Sequence, residues 1–156
     1  MKKHKIILPV AACVCLAAAI GCGPKTVTVS GKIVFDGEPG QNINVLFQGR
    51  AVNGVAPEAA LGKTNSSGVY SLSLVHSRKS GAIPGEYSVY ISWQDPAPDT
   101  SVDIESADYK HVDKCPYKIP PRAKNGELMF TIPPTGIKDA NFEFDSKQES
   151  FAPTGV

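Results

Sequence analysis

Large apolar and small polar residues alternate in short runs along most of this chain. The clearest run places large apolar side chains at every second position, namely Tyr87, Val89, Ile91 and Trp93. Successive side chains of a β-strand point to opposite faces of a sheet, so each run predicts a strand with one buried face. An amphipathic helix needs apolar residues three and four apart, and no convincing stretch of that kind follows residue 26. The chain is therefore predicted to be all-β.

Clusters of Gly, Pro, Asp and Asn separate the runs and predict the turns between strands. Seven strands are expected, in residues 27–35, 43–47, 61–65, 70–74, 87–93, 128–132 and 142–144. Residues 48–57 suit a loop or a crossing between sheets, and residues 94–117 predict a long excursion without a period. Two sheets that cover each other's apolar faces bury such strands without helices. We therefore predict one seven-stranded β-sandwich.

The N-terminal residues have a different pattern, with a basic start, a mostly apolar stretch over residues 6–20 and the ending Ala-Ile-Gly-Cys at Cys22. This order is typical of an export signal, and its apolar part is shorter than the roughly 20 residues that span a bilayer. The last four residues resemble a bacterial lipobox, which implies lipid on the Cys22 sulfur and removal of residues 1–21. An ordinary secretory signal and an uncleaved anchor are the alternatives. The expected mature chain is a tether (residues 22–26), a domain (residues 27–145) and a flexible tail (residues 146–156).

Lipidation predicts the compartment and the first partner. Acyl chains such as palmitate on Cys22 would hold the protein to a bacterial membrane, since each buried CH₂ contributes about 0.8 kcal/mol. Gly23 stands where Asp marks inner-membrane retention in enterobacteria, which favours the outer membrane. Cys115 would be the one cysteine left unmodified after cleavage, so no internal disulfide is expected. The formal net charge of +1, without clustered Lys and Arg, argues against a nucleic-acid partner.

Three segments together resemble a known family. They read VSGKIVFDGEPGQNINVLF, GKTNSSGVYSLSL and GAIPGEYSVYIS, in that order. Their order and spacing resemble the carboxypeptidase regulatory-like, or transthyretin-like, β-sandwich domain of short planctomycete-type lipoproteins. The resemblance extends from about Val27 to Phe144. It implies a Greek-key topology and an accessory, non-catalytic module.

The second segment holds the polar stretch Asn-Ser-Ser-Gly at residues 65–68, which is either a ligand site or a turn. Asn and Ser side chains form hydrogen bonds to nearby backbone, and Gly68 can adopt a positive φ. Such residues commonly close three- to five-residue hairpin loops. We therefore predict a turn that begins a strand.

Few residues suggest chemistry. Tyr90 lies on the parity opposite the apolar run of its strand, and with Tyr109 and Tyr117 it is a candidate aromatic platform for a glycan. His111, Asp113 and Cys115 alternate and are weak candidates for a metal site, although a fourth ligand is missing. No cofactor is predicted.

Three functions remain open from the sequence. The preferred one is a lipid-anchored, non-catalytic module of the cell envelope with a structural or protein-interaction role. The alternative is a module that binds an envelope glycan or a small ligand. A small enzyme is the third, with His76 and His111 as the only histidines available for general-base chemistry in the mature chain.

Overall fold

The computed structural model describes residues 25–94 and 115–146. These ranges form two sheets and one helical turn, which confirms the all-β prediction. The elements are β1 (Ser30–Phe35), β2 (Glu38–Pro39), β3 (Ile43–Gly49), β4 (Ala60–Lys63), β5 (Val69–Ser71), β6 (Ser73–Leu74), β7 (Gly85–Trp93), α1 (Pro121–Lys124), β8 (Leu128–Ile132) and β9 (Phe142–Phe144). Within the described ranges, no helix is both long and apolar enough to cross a bilayer.

The larger sheet has five strands in the order β6-β4-β3-β7-β8, and every neighbouring pair is antiparallel. Its centre is the pair β3 and β7, which runs in register over seven residue pairs, from Ile43 opposite Trp93 to Gly49 opposite Tyr87. The alternating burial of β7 follows the alternation of its sequence, with Val89 and Ile91 buried. The strongest sequence pattern therefore forms the middle of the larger sheet.

The smaller sheet is organised around β1, which pairs with β2 and β5 in antiparallel fashion and with β9 in parallel. Side chains contribute to these pairings. The Oδ1 atom of Asn141, just before β9, accepts the backbone N–H of Lys32 at 2.8 Å. Strands β1 and β9, which are far apart in the sequence, are therefore joined by a side-chain hydrogen bond as well as by their backbone ladder.

The described residues form nine strands rather than the seven predicted from the sequence. Strand β2 is a two-residue addition in the first turn. The predicted fourth strand divides at Leu72, because β5 pairs with β1 in the smaller sheet and β6 pairs with β4 in the larger one. The chain thus passes between the sheets within this segment. Tyr70, Leu72 and Leu74 all stay buried across the change.

The segment between β3 and β4 is a hairpin connection within one sheet, so the alternative of a crossing between sheets was wrong. Val52 and Val55 exchange two backbone hydrogen bonds, at 3.1 and 3.2 Å. Asn53 and Gly54 both have positive φ, 54° and 82°. Positive φ at both central residues is typical of a type I′ turn, which Asn-Gly favours.

One core lies between the two sheets. The Phe47 ring of β3 contacts the rings of Tyr87 and Phe130 in its own sheet, and the ring of Phe142 in the other sheet at a centroid distance of 6.3 Å. Aromatic pairs in these edge-on arrangements add to the free energy of burial. The largest fully buried side chains come from both sheets: Tyr70, Tyr87, Phe47, Phe142, Ile33, Ile43, Leu72, Ile91, Ile132, Val29, Val45 and Val89.

Candidate functional site

The Asn-Ser-Ser-Gly segment forms the turn that the sequence predicts. The Oδ1 atom of Asn65 accepts the backbone N–H groups of Ser67 at 2.9 Å and Val69 at 3.0 Å. Gly68 has φ of 75°, and a Cβ there would lie 2.6 Å from the Ile33 carbonyl oxygen. Because the side-chain oxygen of Asn65 already holds two backbone donors, the turn has a structural role.

The residue before this turn is anchored in the same way. Thr64 is buried, and its Oγ1 accepts the backbone N–H of Ile43 at 2.9 Å. Its own backbone N–H donates to the Ile43 carbonyl at 2.9 Å. Thr64 therefore connects the end of β4 to the start of β3.

Tyr117 packs into the fold. Its ring stacks on Phe35 at a centroid distance of 4.8 Å, and Phe35 in turn stacks on Phe144. The Tyr117 hydroxyl oxygen accepts the backbone N–H of Gln41 at 2.9 Å. The side chain thus attaches the segment after residue 114 to the first hairpin of the chain.

Tyr90 lies on the outer face of the larger sheet, as its parity predicts, and it is half-buried. Gly126, with φ of 70°, lies directly on the Tyr90 ring and leaves no room there for a Cβ. Tyr90 and Tyr117 therefore both contact other parts of the chain. Tyr109, the third member of the proposed platform, lies outside the described residues.

The metal hypothesis rests mainly on residues that the structure does not describe, since His111 and Asp113 lie outside the described ranges. Cys115 is a half-buried free thiol that packs against the core, and its Sγ donates to the Tyr117 carbonyl at 3.3 Å. Among residues 25–94 and 115–146, no group of three or more His, Cys, Asp or Glu side chains is arranged to hold a metal ion.

Two buried tyrosine hydroxyls that sequence reasoning did not single out have clear structural roles. The Tyr70 hydroxyl donates to the Ala140 carbonyl at 2.6 Å, and the Tyr87 hydroxyl donates to the Ile83 carbonyl at 2.6 Å. Burial raises the pKa of Tyr70 and raises that of Tyr87 to about 12. Both hydroxyls therefore remain protonated donors at neutral pH. The sequence Pro-Gly-x-Tyr, which places the ring four residues after Ile83, resembles the tyrosine corner of β-sandwiches.

His76, one of the two histidines considered for a possible enzyme, lies on an exposed turn beside Glu58. The Glu58 Oε1 atom accepts the backbone N–H groups of His76 at 2.7 Å and Ser77 at 2.9 Å. These bonds, chiefly the one from Ser77, lower the pKa of the Glu58 carboxyl. The His76 Nδ1 is 3.9 Å from the same oxygen, and the imidazole is 86% exposed. Glu58 therefore holds the turn after β6, and His76 extends into solvent.

An open acidic cleft of about 460 Å³ lies where β1 and β9 end together. Its carboxylates belong to Asp36, Glu143 and Asp145. Asp36 has defined backbone partners, because its Oδ1 accepts the N–H of Ser146 at 2.7 Å and its own N–H donates to the Phe144 carbonyl at 2.8 Å. The cleft is thus formed by the parallel pairing that closes the smaller sheet.

Comparisons with known proteins find no match to this chain among family models, curated proteins or solved structures. The two-sheet β fold is established by the structure of the chain itself.

Proposed function

We propose that this protein is a lipid-anchored, non-catalytic β-sandwich module of the bacterial cell envelope, with a structural or protein-interaction role. Cys22 carries the lipid, residues 1–21 are the signal peptide, and residues 22–26 are the tether. The absence of Asp after Cys22 favours the outer membrane. Membrane lipid is the first partner, and envelope proteins are the second.

The observation that carries this proposal is how soon the fold begins after Cys22. Val27 donates its backbone N–H to the Ala82 carbonyl at 2.8 Å and accepts the Ala82 N–H at 3.0 Å. Cys22 precedes Lys25, the first described residue, by three positions, which span at most about 11 Å. A lipid on Cys22 would therefore hold the folded domain directly at a bilayer surface.

The proposed family is the carboxypeptidase regulatory-like, or transthyretin-like, domain with a seven-stranded Greek-key topology. Each of the three segments that resemble this family lies on a hairpin or turn with a structural role. The first covers β1 to β3, the second contains the Asn65 turn and the third contains the hydroxyl bond of Tyr87 to Ile83. The two strands beyond seven are two-residue pieces, β2 and β6, and β6 continues β5 after one residue.

The arrangement of the candidate side chains supports a structural or protein-interaction role over glycan binding. Tyr117 contributes its ring and its hydroxyl to contacts with Phe35 and Gln41, and Tyr90 is covered by Gly126. A glycan platform needs aromatic faces that are open to the sugar. No observation on the described residues favours the glycan-binding alternative.

The anchor is tested by mass spectrometry of the mature protein purified from membranes. We expect an N-terminal peptide that begins at Cys22 and carries two or three acyl chains. Cys22→Ser protein should lose the acyl mass and leave the membrane fraction. Cys115→Ser is the matched control, because it removes a thiol that the proposal leaves unmodified, and this variant should stay membrane-bound. An unmodified N-terminus on the wild-type protein would refute the proposal.

A further inference from the structure

One end of the two-sheet fold holds the first described residues, and we name it the tether end. Val27 lies there against Ala82, three residues before β7 begins at Gly85. The hairpin between β3 and β4 emerges at the same end, because Arg50 donates its N–H to the Glu86 carbonyl at 2.9 Å. Pro57, on the returning side of that hairpin, packs against Gly85. The site of attachment and the hairpin therefore lie side by side.

The tip of this hairpin is apolar and exposed. Residues 51–56 read Ala-Val-Asn-Gly-Val-Ala, contain no ionisable side chain and are all exposed. Val55 is 75% exposed and Val52 is 48% exposed. A single exposed apolar residue is ordinary. Here two valines and two alanines share the tip of a turn that is closed by two backbone hydrogen bonds between Val52 and Val55. Burial of this tip by a partner would therefore remove apolar surface from water.

The surroundings of the tip favour an anionic surface. The segments at the tether end carry exposed cationic residues in addition to Lys25. Arg50 begins the hairpin, and Arg78 and Lys79 belong to the turn that Glu58 holds. Two acidic residues lie on the same segments, namely Glu58, which accepts two backbone N–H groups of the turn, and Glu86, whose carbonyl accepts the Arg50 N–H. The four cations outnumber these two carboxylates. Lys and Arg beside a membrane are attracted to anionic lipid headgroups. An apolar tip flanked by cations is the chemistry of a segment that enters a bilayer interface.

We propose that residues 51–56 form a membrane-contacting finger, which inserts Val52 and Val55 into the same bilayer that holds the acyl chains of Cys22. This inference rests on the proposed lipid anchor. The short chain between Cys22 and Lys25 brings the tether end against the bilayer, and the finger makes a second contact there. Two points of attachment fix the orientation of the domain, so the Asn65 turn and the acidic cleft face away from the membrane.

The test places a tryptophan reporter at the tip and a matched one elsewhere. Val55→Trp and Val52→Trp report on the finger. Val69→Trp is the control, because Val69 is 42% exposed and lies far from the tether end. It pairs with Lys32, which follows Val27 by five residues, or about 16 Å of extended chain. Each lipidated full-chain variant is reconstituted into vesicles of phosphatidylethanolamine and phosphatidylglycerol with brominated acyl chains. The fluorescence of wild-type protein, which contains Trp93, is subtracted.

We expect bromine to quench the reporters at positions 52 and 55 at least twofold more strongly than the reporter at position 69. Equal quenching at the three positions, in protein whose Cys22 is acylated by mass spectrometry, would overturn the finger and leave the anchor intact. Absence of acyl mass on Cys22 would refute the anchor, and the finger with it. Two reporters on opposite sides of the turn keep the test decisive when one substitution perturbs folding.

Discussion

The two sheets of this protein are held together by different means. The larger sheet depends on long antiparallel ladders, above all the seven-pair register of β3 and β7. The smaller sheet has short strands around β1, and side chains complete it. The side-chain oxygens of Asn65 and Asn141 accept backbone N–H groups, and the Tyr70 hydroxyl donates to a backbone carbonyl. The Asn65 bond lies within the turn that leads into the sheet, whereas the other two join separate segments.

This difference has an energetic consequence. A ladder spreads the free energy of pairing over many equivalent bonds, so the loss of one bond changes little. A single side-chain bond to a buried backbone group carries a larger share, because its loss leaves a polar group unpaired. Thr64 makes one such buried bond in the larger sheet, beside the long ladders, and Tyr70 makes one in the smaller sheet, where the strands are short. We therefore expect the smaller sheet to be more sensitive than the larger one to substitutions that remove one contact.

The largest expected effect is at Gly31 in β1. A Cβ at this position would overlap the Ala140 carbonyl oxygen and approach the Tyr70 hydroxyl at 3.0 Å. Gly31→Ala should therefore lower the free energy of unfolding by about 3 kcal/mol, the upper part of the usual range for overpacking. Urea denaturation followed by circular dichroism measures it.

Gly37→Ala is the control for this steric effect. Gly37 has φ of 86° and open space where a Cβ would lie, so only the backbone conformation opposes the substitution. It should cost about 1 kcal/mol. If both variants lose the same free energy, the close approach of β1 to Ala140 is not what stabilises the smaller sheet.

The two buried hydroxyl bonds give a direct comparison between the sheets. Tyr70→Phe removes a bond between residues 70 positions apart, and Tyr87→Phe removes one between residues four apart. We expect losses of about 1–2 kcal/mol for Tyr70→Phe, which leaves the Ala140 carbonyl unpaired, and of about 1 kcal/mol for Tyr87→Phe. Native-state hydrogen exchange should show faster exchange of the β9 amides in the first variant alone. Unchanged β9 exchange in Tyr70→Phe would contradict a long-range role.

The larger sheet could be predicted from the sequence because apolar and polar residues alternate regularly in its strands. The alternation of Tyr87, Val89 and Ile91 sets which face is buried, and one buried face sets the register. The same pattern could not reveal the division of the fourth strand at Leu72. A strand that passes from one sheet to the facing sheet keeps its inward side chains directed into the same core, so the alternation of Tyr70, Leu72 and Leu74 continues unbroken.

The candidate site was less predictable for a related reason. Tyr117 follows a segment without any period, and it stacks on Phe35, which lies far away in the chain. The contact of Gly126 with Tyr90 likewise depends on how the α1 segment returns to the sheet. By contrast, the role of Asn65 was predictable, because Asn bonds to backbone within its own turn. Local side-chain bonds can be inferred from the sequence, whereas long-range contacts need the fold.

A smaller effect is expected at Asn65, where the bond is local. Asn65→Ala removes the acceptor for the N–H groups of Ser67 and Val69 and should lower the free energy of unfolding by about 1 kcal/mol. Asn65→Asp keeps an oxygen in the same place and should retain most of the stability at pH 7. Thermal melts of the two variants against wild type measure the difference. Equal losses in both would show that the amide oxygen is not the stabilising group.

The smallest expected effect is at Glu58, whose bonds hold an exposed turn beside the larger sheet. The Ser77 and His76 N–H groups favour the charged carboxylate, so its pKa in the folded protein lies below the ordinary value of 4.5. The carboxylate therefore contributes stability that is complete above this ordinary value and is lost as the pH falls through the lowered folded pKa. Glu58→Gln should show a smaller drop in Tm between pH 7 and pH 3 than wild type.

Glu86→Gln, at an exposed carboxylate on β7, is the control. An equal change in Tm in both variants would contradict the role of Glu58 in the turn. A large loss of stability in Gly31→Ala and a slight one in Glu58→Gln would show that the smaller sheet is the more sensitive to the change of a single contact.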